Sequence, residues 1–250
     1  MKNKMVRKRL DQALVEQGLI RSRERAKAMI MAGKVLVNGI KVDKPGTQVN
    51  HDARLEVKAP DHPYVSRGGL KLEKALQSFP VSVQDAVCLD IGASTGGFTD
   101  CLLKFGAKKV FAVDVGYGQL DWSLRQDDRV VVIERTNIRH LPYEAIGQSM
   151  DAVVADTSFI SLKTVIPSAE KFMHEGTNIL ALIKPQFEAG KENVGKGGIV
   201  KDPEIRNQVK QDIILFFQNR RYKVNGTVTS PVLGAKGNEE YVISLVYGKK

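Results

Sequence analysis

The sequence predicts an α/β fold, a mostly parallel sheet with helices on both faces, preceded by a small α+β module. Three observations predict it. Short apolar runs recur at 87–91, 110–113, 130–133, 152–155, 179–183 and 241–247. The segments between them are long enough for helices, notably 159–174 and 203–219. The charge is uneven: residues 1–58 hold fourteen Lys/Arg and six Asp/Glu, a net of +8 out of +10 for the whole chain.

The bulk numbers bound the rest. At 250 residues with 42% hydrophobic content, the chain supports a real core in one large or two smaller domains. No apolar run approaches the roughly 18–20 residues that cross a bilayer. The basic N-terminus, Met1 to Arg9, has no apolar segment behind it and is not a secretory signal. Cys88 and Cys101 fall on a buried strand and the following helix, so both read as reduced core residues of a cytoplasmic protein. His51, His62, His140 and His174 lack ligand spacing, so no metal site is expected.

The first module reads as two helices and a small sheet. Leu10, Ala13, Leu14 and Leu19 recur near helical spacing, and Gly18 closes that helix. Ser22 can cap a second helix whose inner face is Ala26, Met29 and Ile30, stopped by Gly33. Residues 35–42 form a hairpin around Asn38-Gly39, Pro45-Gly46 marks a turn, and residues 54–57 form a closing strand.

This pattern resembles the S4 RNA-binding domain. The residues that carry the likeness are Arg9-Leu10-Asp11, Ser22-Arg23-Glu24-Arg25-Ala26, Ile30, and Gly33-Lys34-Val35-Leu36-Val37-Asn38-Gly39. In that family the second helix and the hairpin form a basic face on RNA. The resemblance implies phosphate contacts by Arg7, Arg9, Arg21, Arg23, Arg25, Lys27 and Lys34. Such contacts give affinity and register rather than sequence readout.

The expected boundaries are 1–59 for this module, 60–66 for a linker stiffened by Pro60 and Pro63, and 67–250 for the α/β body. Arg67-Gly68-Gly69 breaks the chain before a helix bearing Leu70, Leu72, Ala75 and Leu76. Asp202-Pro203 supplies an N-cap and a first-turn proline for the helix over 203–219. The stretch 190–198, rich in Gly and Lys, reads as a mobile loop at a ligand edge or as a disordered connection.

The most telling segment is Asp90-Ile91-Gly92-Ala93-Ser94-Thr95-Gly96-Gly97-Phe98. A second apolar run then ends in Asp114, 22 residues after Gly92. An apolar strand, a glycine-rich turn, a helix start and a second strand ending in an acid make a nucleoside-binding βαβ unit. The second glycine of the dinucleotide fingerprint, which admits a pyrophosphate, is missing. That favours S-adenosylmethionine (SAM). Asp90, Gly92, Ala93, Ser94, Gly96, Gly97 and Phe98 are expected around the cofactor, though Phe98 is equally readable as core. Asp114 and Val115 are expected at its ribose end. Asn137 is placed near the adenine, with a plain turn-forming role as the alternative.

Ligands in open α/β sheets bind beyond the carboxyl ends of strands. Asp156 and Lys184 close two later strands, and Glu240 opens the last. A lysine directly after four apolar residues is costly to bury unless paired; a structural ion pair with Asp156 is the alternative to a chemical role.

The whole chain resembles the TlyA family, which joins an S4 domain to an FtsJ-like methyltransferase domain. The likeness rests on Ser66-Arg67-Gly68-Gly69-Leu70-Lys71-Leu72, residues 90–100, Asp156-Thr157-Ser158-Phe159-Ile160-Ser161-Leu162, and Lys184-Pro185-Gln186-Phe187-Glu188. It implies a Rossmann-like SAM-dependent methyltransferase sheet and methyl transfer to ribose 2′-hydroxyls, typically of cytidine in 16S and 23S rRNA. It also implies a Lys-Asp-Lys-Glu tetrad, which falls on Lys71, Asp156, Lys184 and Glu240, with Glu239 competing for the last place. Arg67, Lys191 and Lys196 join the expected RNA contacts. The partner is then ribosomal RNA or a ribosomal subunit.

The chemistry needs no metal, because a sulfonium methyl is already an activated electrophile. It needs a group that orients the hydroxyl, accepts its proton and stabilises the developing alkoxide. A neutral Lys184 fits as general base, and a charged Lys184 that orients and stabilises is the alternative. Competing functions are a non-catalytic RNA-binding or assembly protein, a membrane-lytic protein suggested by the family's haemolysin label, and a base-modifying methyltransferase. The last would typically carry an Asn/Asp-Pro-Pro-aromatic motif, unlike Asp156-Thr157-Ser158-Phe159.

Overall fold

The computed structural model describes residues 7–20, 22–58, 62–220 and 222–248. The chain divides into two compact units, Met1–His62 and Pro63–Lys250.

In the first unit, β1 (Arg7–Arg9) runs straight into α1 (Leu10–Glu16), and α2 (Arg23–Met31) follows. The short strands β2 (Val35–Val37), β3 (Ile40–Val42), β4 (Gln48–Asn50) and β5 (Leu55–Val57) complete it. β1 pairs antiparallel with β4, and β3-β2-β5 form a three-stranded antiparallel sheet. The Ser22 side chain accepts a hydrogen bond from Arg25 N and caps α2, as its position predicts. Asn38 and Gly39 both take positive φ, 51° and 79°, the geometry of the tight turn that two-residue hairpins need.

One expectation for this core is wrong. α1 ends at Glu16 and the chain turns at Gly18 with φ +68°. Ile20 therefore fills the core, 2% exposed, while Leu19 is 37% exposed. The helical period stops applying once the helix ends. Arg21 lies outside the described residues, so its expected phosphate contact has no structural account.

The second unit is built on a seven-stranded sheet. Its elements are α3 (Gly68–Ser78), β6 (Val87–Ile91), α4 (Gly97–Lys104), β7 (Lys109–Val113), α5 (Trp122–Arg125), β8 (Val130–Ile133), β9 (Met150–Ala155), α6 (Leu162–Ala169), β10 (Met173–Ile183), α7 (Pro185–Glu188), α8 (Pro203–Asn219), β11 (Lys223–Thr229) and β12 (Tyr241–Val246). The strand order is β11-β12-β10-β9-β6-β7-β8. The pairs from β10 to β8 are parallel, and β12 is antiparallel to both its neighbours.

Strand alternation splits the core in two. Leu89, Ile91, Val153, Ala155, Ile179 and Ile183 pack with α6 and α8 on one face. Cys88, Val110, Ala112, Val154, Leu180 and Leu182 pack with α3 and α4 on the other. Period-2 orientation accounts for this division. Cys88 and Cys101 are buried free thiols, each pushed up to about 12, chiefly by burial.

Two elements differ from the sequence expectation. The helix expected over 159–174 is only Leu162–Ala169, followed by a 3-10 turn, because β10 already begins at Met173. β11 has no apolar run and was not expected. It is an edge strand with half-exposed residues, so the sequence Lys223-Val-Asn-Gly-Thr-Val-Thr229 need not be hydrophobic. Within the 190–198 stretch a 3-10 turn spans Lys191–Asn193 and Gly195 N donates to Ile199 O at 3.0 Å.

Candidate active site

The strand order reverses between β6 and β9, which places a crevice at their carboxyl ends. The two ends touch there. A Cβ built on Gly92 would stand 2.7 Å from the Asp156 carbonyl oxygen, and Gly92 takes φ +84°. Only glycine satisfies both conditions. Gly92 N and Ala93 N donate to Val113 O at 2.8 and 3.2 Å, which pins the turn to β7.

A cleft of about 310 Å³ opens over this turn. Gly92, Ala93, Ser94 and Gly97 line it on one side, the buried Lys71 and Lys184 and the half-buried Asp156 line it at depth, and the exposed Ser158, Arg67 and Leu233 stand at its rim. Asp114 is half-buried beside it. Its Oδ2 accepts from Ser94 N and its Oδ1 from Gly116 N, each at 2.7 Å. Each carboxylate oxygen has further acceptor capacity, which suits two ribose hydroxyls. A small-residue wall ending in an oriented half-exposed acid fits a nucleoside-type cofactor such as SAM.

Not every residue predicted at the cofactor lines the cleft. Asp90 does not line the cleft; it is fully buried and accepts from Thr99 Oγ1 at 2.6 Å. Gly96 is the N-cap of α4 at φ +96°, and a Cβ there would strike Leu124 Cδ1 at 2.3 Å. Its role is close packing, not lining. Asn137 forms a local turn, its Oδ1 accepting from Arg139 N at 3.1 Å, and is not among the residues that line the cleft. Phe98 is 3% exposed and belongs to the core, with one edge at the cleft. Val115 is exposed next to Asp114.

The four polar residues predicted as a tetrad converge. Lys184 Nζ lies 2.6 Å from Asp156 Oδ1 and donates to Ser158 Oγ at 3.1 Å. Lys71 Nζ donates to Glu240 Oε2 at 2.6 Å and lies 3.7 Å from Asp156 Oδ2. Asp156 thus bridges two amines that come from α3 and from the end of β10. Lys71, Lys184 and Glu240 are all under a tenth exposed, and burial without these pairings would be costly. Glu240, not Glu239, faces the cluster. Glu239 bonds to the Tyr241 hydroxyl and lies 3.9 Å from Arg206.

Sequence reasoning gave no role to the residues that surround this cluster, although Phe159, Gln186, Phe187 and Glu188 stand in the motifs that carry the family likeness. Gln186 Nε2 donates to Glu240 Oε1 at 3.3 Å. Gly234 packs so closely on Glu240 that a Cβ would lie 2.0 Å from Oε1. Glu188 accepts from Ser161 Oγ at 2.6 Å and Leu162 N at 2.8 Å, capping α6 and tying it to α7. Phe159 holds φ +63° and is 89% exposed, its ring 5.0 Å from that of Phe187. A positive φ on an aromatic residue signals an unusual placement, and it is invisible in sequence. Phe159, Phe187 and Lys191 line a second hollow next to the cleft, while Lys196 is exposed on the loop above.

In the first unit, Arg7, Arg23 and Lys34 are exposed, and Arg9, Arg25 and Lys27 are partly so. Arg9 and Arg23 both reach the buried carboxylate of Asp11. Arg25 lies against His62.

Comparison with known proteins gives two domain matches. The FtsJ-like methyltransferase model matches residues 64–247 and the S4 domain model residues 8–55. The chain is 48% identical over 240 residues to the 16S/23S rRNA (cytidine-2′-O)-methyltransferase TlyA of Mycobacterium tuberculosis, spanning 96% of this chain and 90% of that one. It is 44% identical over 239 residues to Hemolysin A of Brachyspira hyodysenteriae, spanning 95% and 99%. A solved structure from Streptococcus thermophilus, carried under a provisional hemolysin name, superposes with TM-score 0.77 at 44% identity, over 98% of this chain and 90% of that one. An S-adenosylmethionine-dependent methyltransferase from Mesorhizobium loti shares the fold, with TM-score 0.52 at 10% identity over 73% and 100%.

Proposed function

The chain belongs to the TlyA family, an S4 domain joined to an FtsJ-like methyltransferase domain, and on that premise we propose that it methylates ribose 2′-hydroxyls of ribosomal RNA. The target class is cytidine in 16S or 23S rRNA, the substrate that its relative's name carries. The observation that supports this most is the Lys184–Asp156–Lys71–Glu240 chain at the floor of a cleft whose wall is the Gly92 turn.

SAM, when bound, supplies a sulfonium methyl that is already activated. Gly92, Ala93, Ser94 and Gly97 hold its amino-acid end through backbone groups, and Asp114 takes the ribose hydroxyls. Lys184 faces the cleft beside this wall. In its amine form it accepts the 2′-hydroxyl proton, and Asp156 at 2.6 Å holds the ammonium that results. That interaction strengthens as the proton arrives, which is what lowers a barrier. Lys71 and Glu240 fix Asp156 from the other side. The exposed Phe159 ring offers a face on which the target base can stack.

RNA reaches the site with help from Arg7, Arg9, Arg23, Arg25, Lys27 and Lys34 on the first unit, and from Arg67, Lys191 and Lys196 on the second. The domain boundaries we propose follow the same division, with 1–59 as the RNA-binding module and 67–250 as the catalytic one. Among the described residues no helix is long and apolar enough to cross a membrane.

The test is 2′-O-methyl mapping of 16S and 23S rRNA incubated with and without the protein and SAM, as naked RNA and as subunits. A new 2′-O-methylcytidine is expected. A methyl group found on a base, or none at all with folded protein, overturns the proposal.

A further inference from the structure

Asp11 is an anomaly in a module that is otherwise strongly basic. It is 0% exposed, although it lies in the first turn of α1 just after the partly exposed Arg9 that ends β1. Arg9 grips it with two bonds, Nε to Oδ1 and Nη2 to Oδ2, both 3.0 Å. Arg23, from the start of α2, donates Nη2 to Oδ2 at 3.3 Å. The two arginine side chains remain 41% and 47% exposed. The acid is buried because they cover it.

A guanidinium carries five N–H groups in a fixed plane. Among the described residues Arg9 gives two of these to Asp11 and Arg23 gives one, which leaves most donors of both for a further partner. The bidentate grip fixes the plane of Arg9, and its Nη1 lies against Gly46, where a Cβ would approach to 3.3 Å. Asp11 N donates to Pro45 O at 3.1 Å, which anchors the acid's own backbone. The two guanidinium groups are thus held at a set spacing and orientation by one carboxylate. The Arg9 pairing also holds the Asp11 carboxyl down at about 2, so it stays charged through the working range.

We propose that Asp11 is a positioning residue that clamps Arg9 and Arg23 as a matched pair of phosphate-binding forks. The inference rests on reading the first unit as an RNA-binding module. Its gain is entropic: two long side chains are ordered before RNA arrives, which removes rotamer cost from the binding step. A charge-only view predicts the opposite sign. Deleting an acid from a basic face adds one net positive charge and should tighten binding to a polyanion.

The full chain is titrated against a labelled transcript of 23S rRNA between 50 and 200 mM salt, as wild type, Asp11→Asn, Arg9→Ala, Arg23→Ala, and Arg9→Ala/Arg23→Ala with and without Asp11→Asn. Asp11→Asn is expected to weaken binding about tenfold, despite the added charge. In the doubly substituted background it is expected to weaken binding no further. If Asp11→Asn binds as well as or better than wild type while the arginine variants weaken, the positioning role is overturned. If the arginine variants also bind like wild type, the RNA-binding reading of this unit fails instead. Should Asp11→Asn not fold by circular dichroism, Arg9→Lys and Arg23→Lys take its place. They keep the charge and lose the fork, so weakening close to that of the alanine variants supports the clamp and retained affinity overturns it.

Discussion

Lys71 Nζ and Glu240 Oε2 stand 2.6 Å apart, joining the first helix of the catalytic domain to the start of its last strand across 169 residues of chain. Both groups are buried. Removing one partner strands the other charge, a loss of about 3–5 kcal/mol. Glu240→Ala and Lys71→Met are each expected to lower the urea midpoint strongly. The double variant Lys71→Met/Glu240→Leu should recover part of the loss. Simple additivity in that cycle would mean the pair is not coupled.

Lys184→Ala is expected to abolish methyl transfer while leaving SAM affinity largely intact, because the amine touches Asp156 and Ser158 rather than the glycine turn. Asp114→Ala should do the reverse and weaken SAM binding first. Calorimetric titration beside a tritiated-methyl assay separates the two. Equal loss of cofactor affinity in both variants would argue against a chemical role for Lys184.

Gly92→Ala meets two obstacles, a positive φ and the Asp156 carbonyl 2.7 Å from the new Cβ. Gly118 shares the positive φ, +69°, but has nothing within 4 Å. Gly118→Ala should therefore cost only the backbone term, about 1 kcal/mol, and keep its activity. Gly92→Ala should cost more and lose methyl transfer, since Asp156 must shift. Chemical denaturation with the same activity assay checks both, and equal effects would mean the close approach does not matter.

Asp90 sets a pH dependence. Burial pushes its carboxyl up to about 7; the Thr99 hydrogen bond opposes this, and nearby Asp156 and Asp114 add to it. An unfolded aspartate titrates near 4. Between about 4 and 7 the folded state holds the extra proton, so this group's contribution to stability falls as pH rises and levels off above 7. The fall is at most about 4 kcal/mol. Asp90→Asn keeps the acceptor for Thr99 and removes the titration. Urea midpoints of wild type and variant at pH 4, 5.5, 7 and 8 should diverge in that window, and parallel profiles would exclude Asp90 as the source.

Much of this protein was legible along the chain because its signals are local. The turn from Asp90 to Phe98, the acid of Asp114 after the next strand and the lysine after Ile183 are each readable within a few residues. So are the Asn38-Gly39 hairpin and the Ser22 cap, since backbone conformation there depends on adjacent residues alone. The tertiary structure decided what depends on distant partners. It put Glu240 beside Lys71 and turned Glu239 to Tyr241 and Arg206. It made Lys223–Thr229 a strand, because an edge needs only one partner and little apolar surface. It filled the first core with Ile20 instead of Leu19, buried Asp90 and Gly96 behind the lining of the cleft, and enclosed Asp11 between two arginines. Burial and charge pairing are properties of a folded neighbourhood, and no spacing along the chain records which neighbour will arrive.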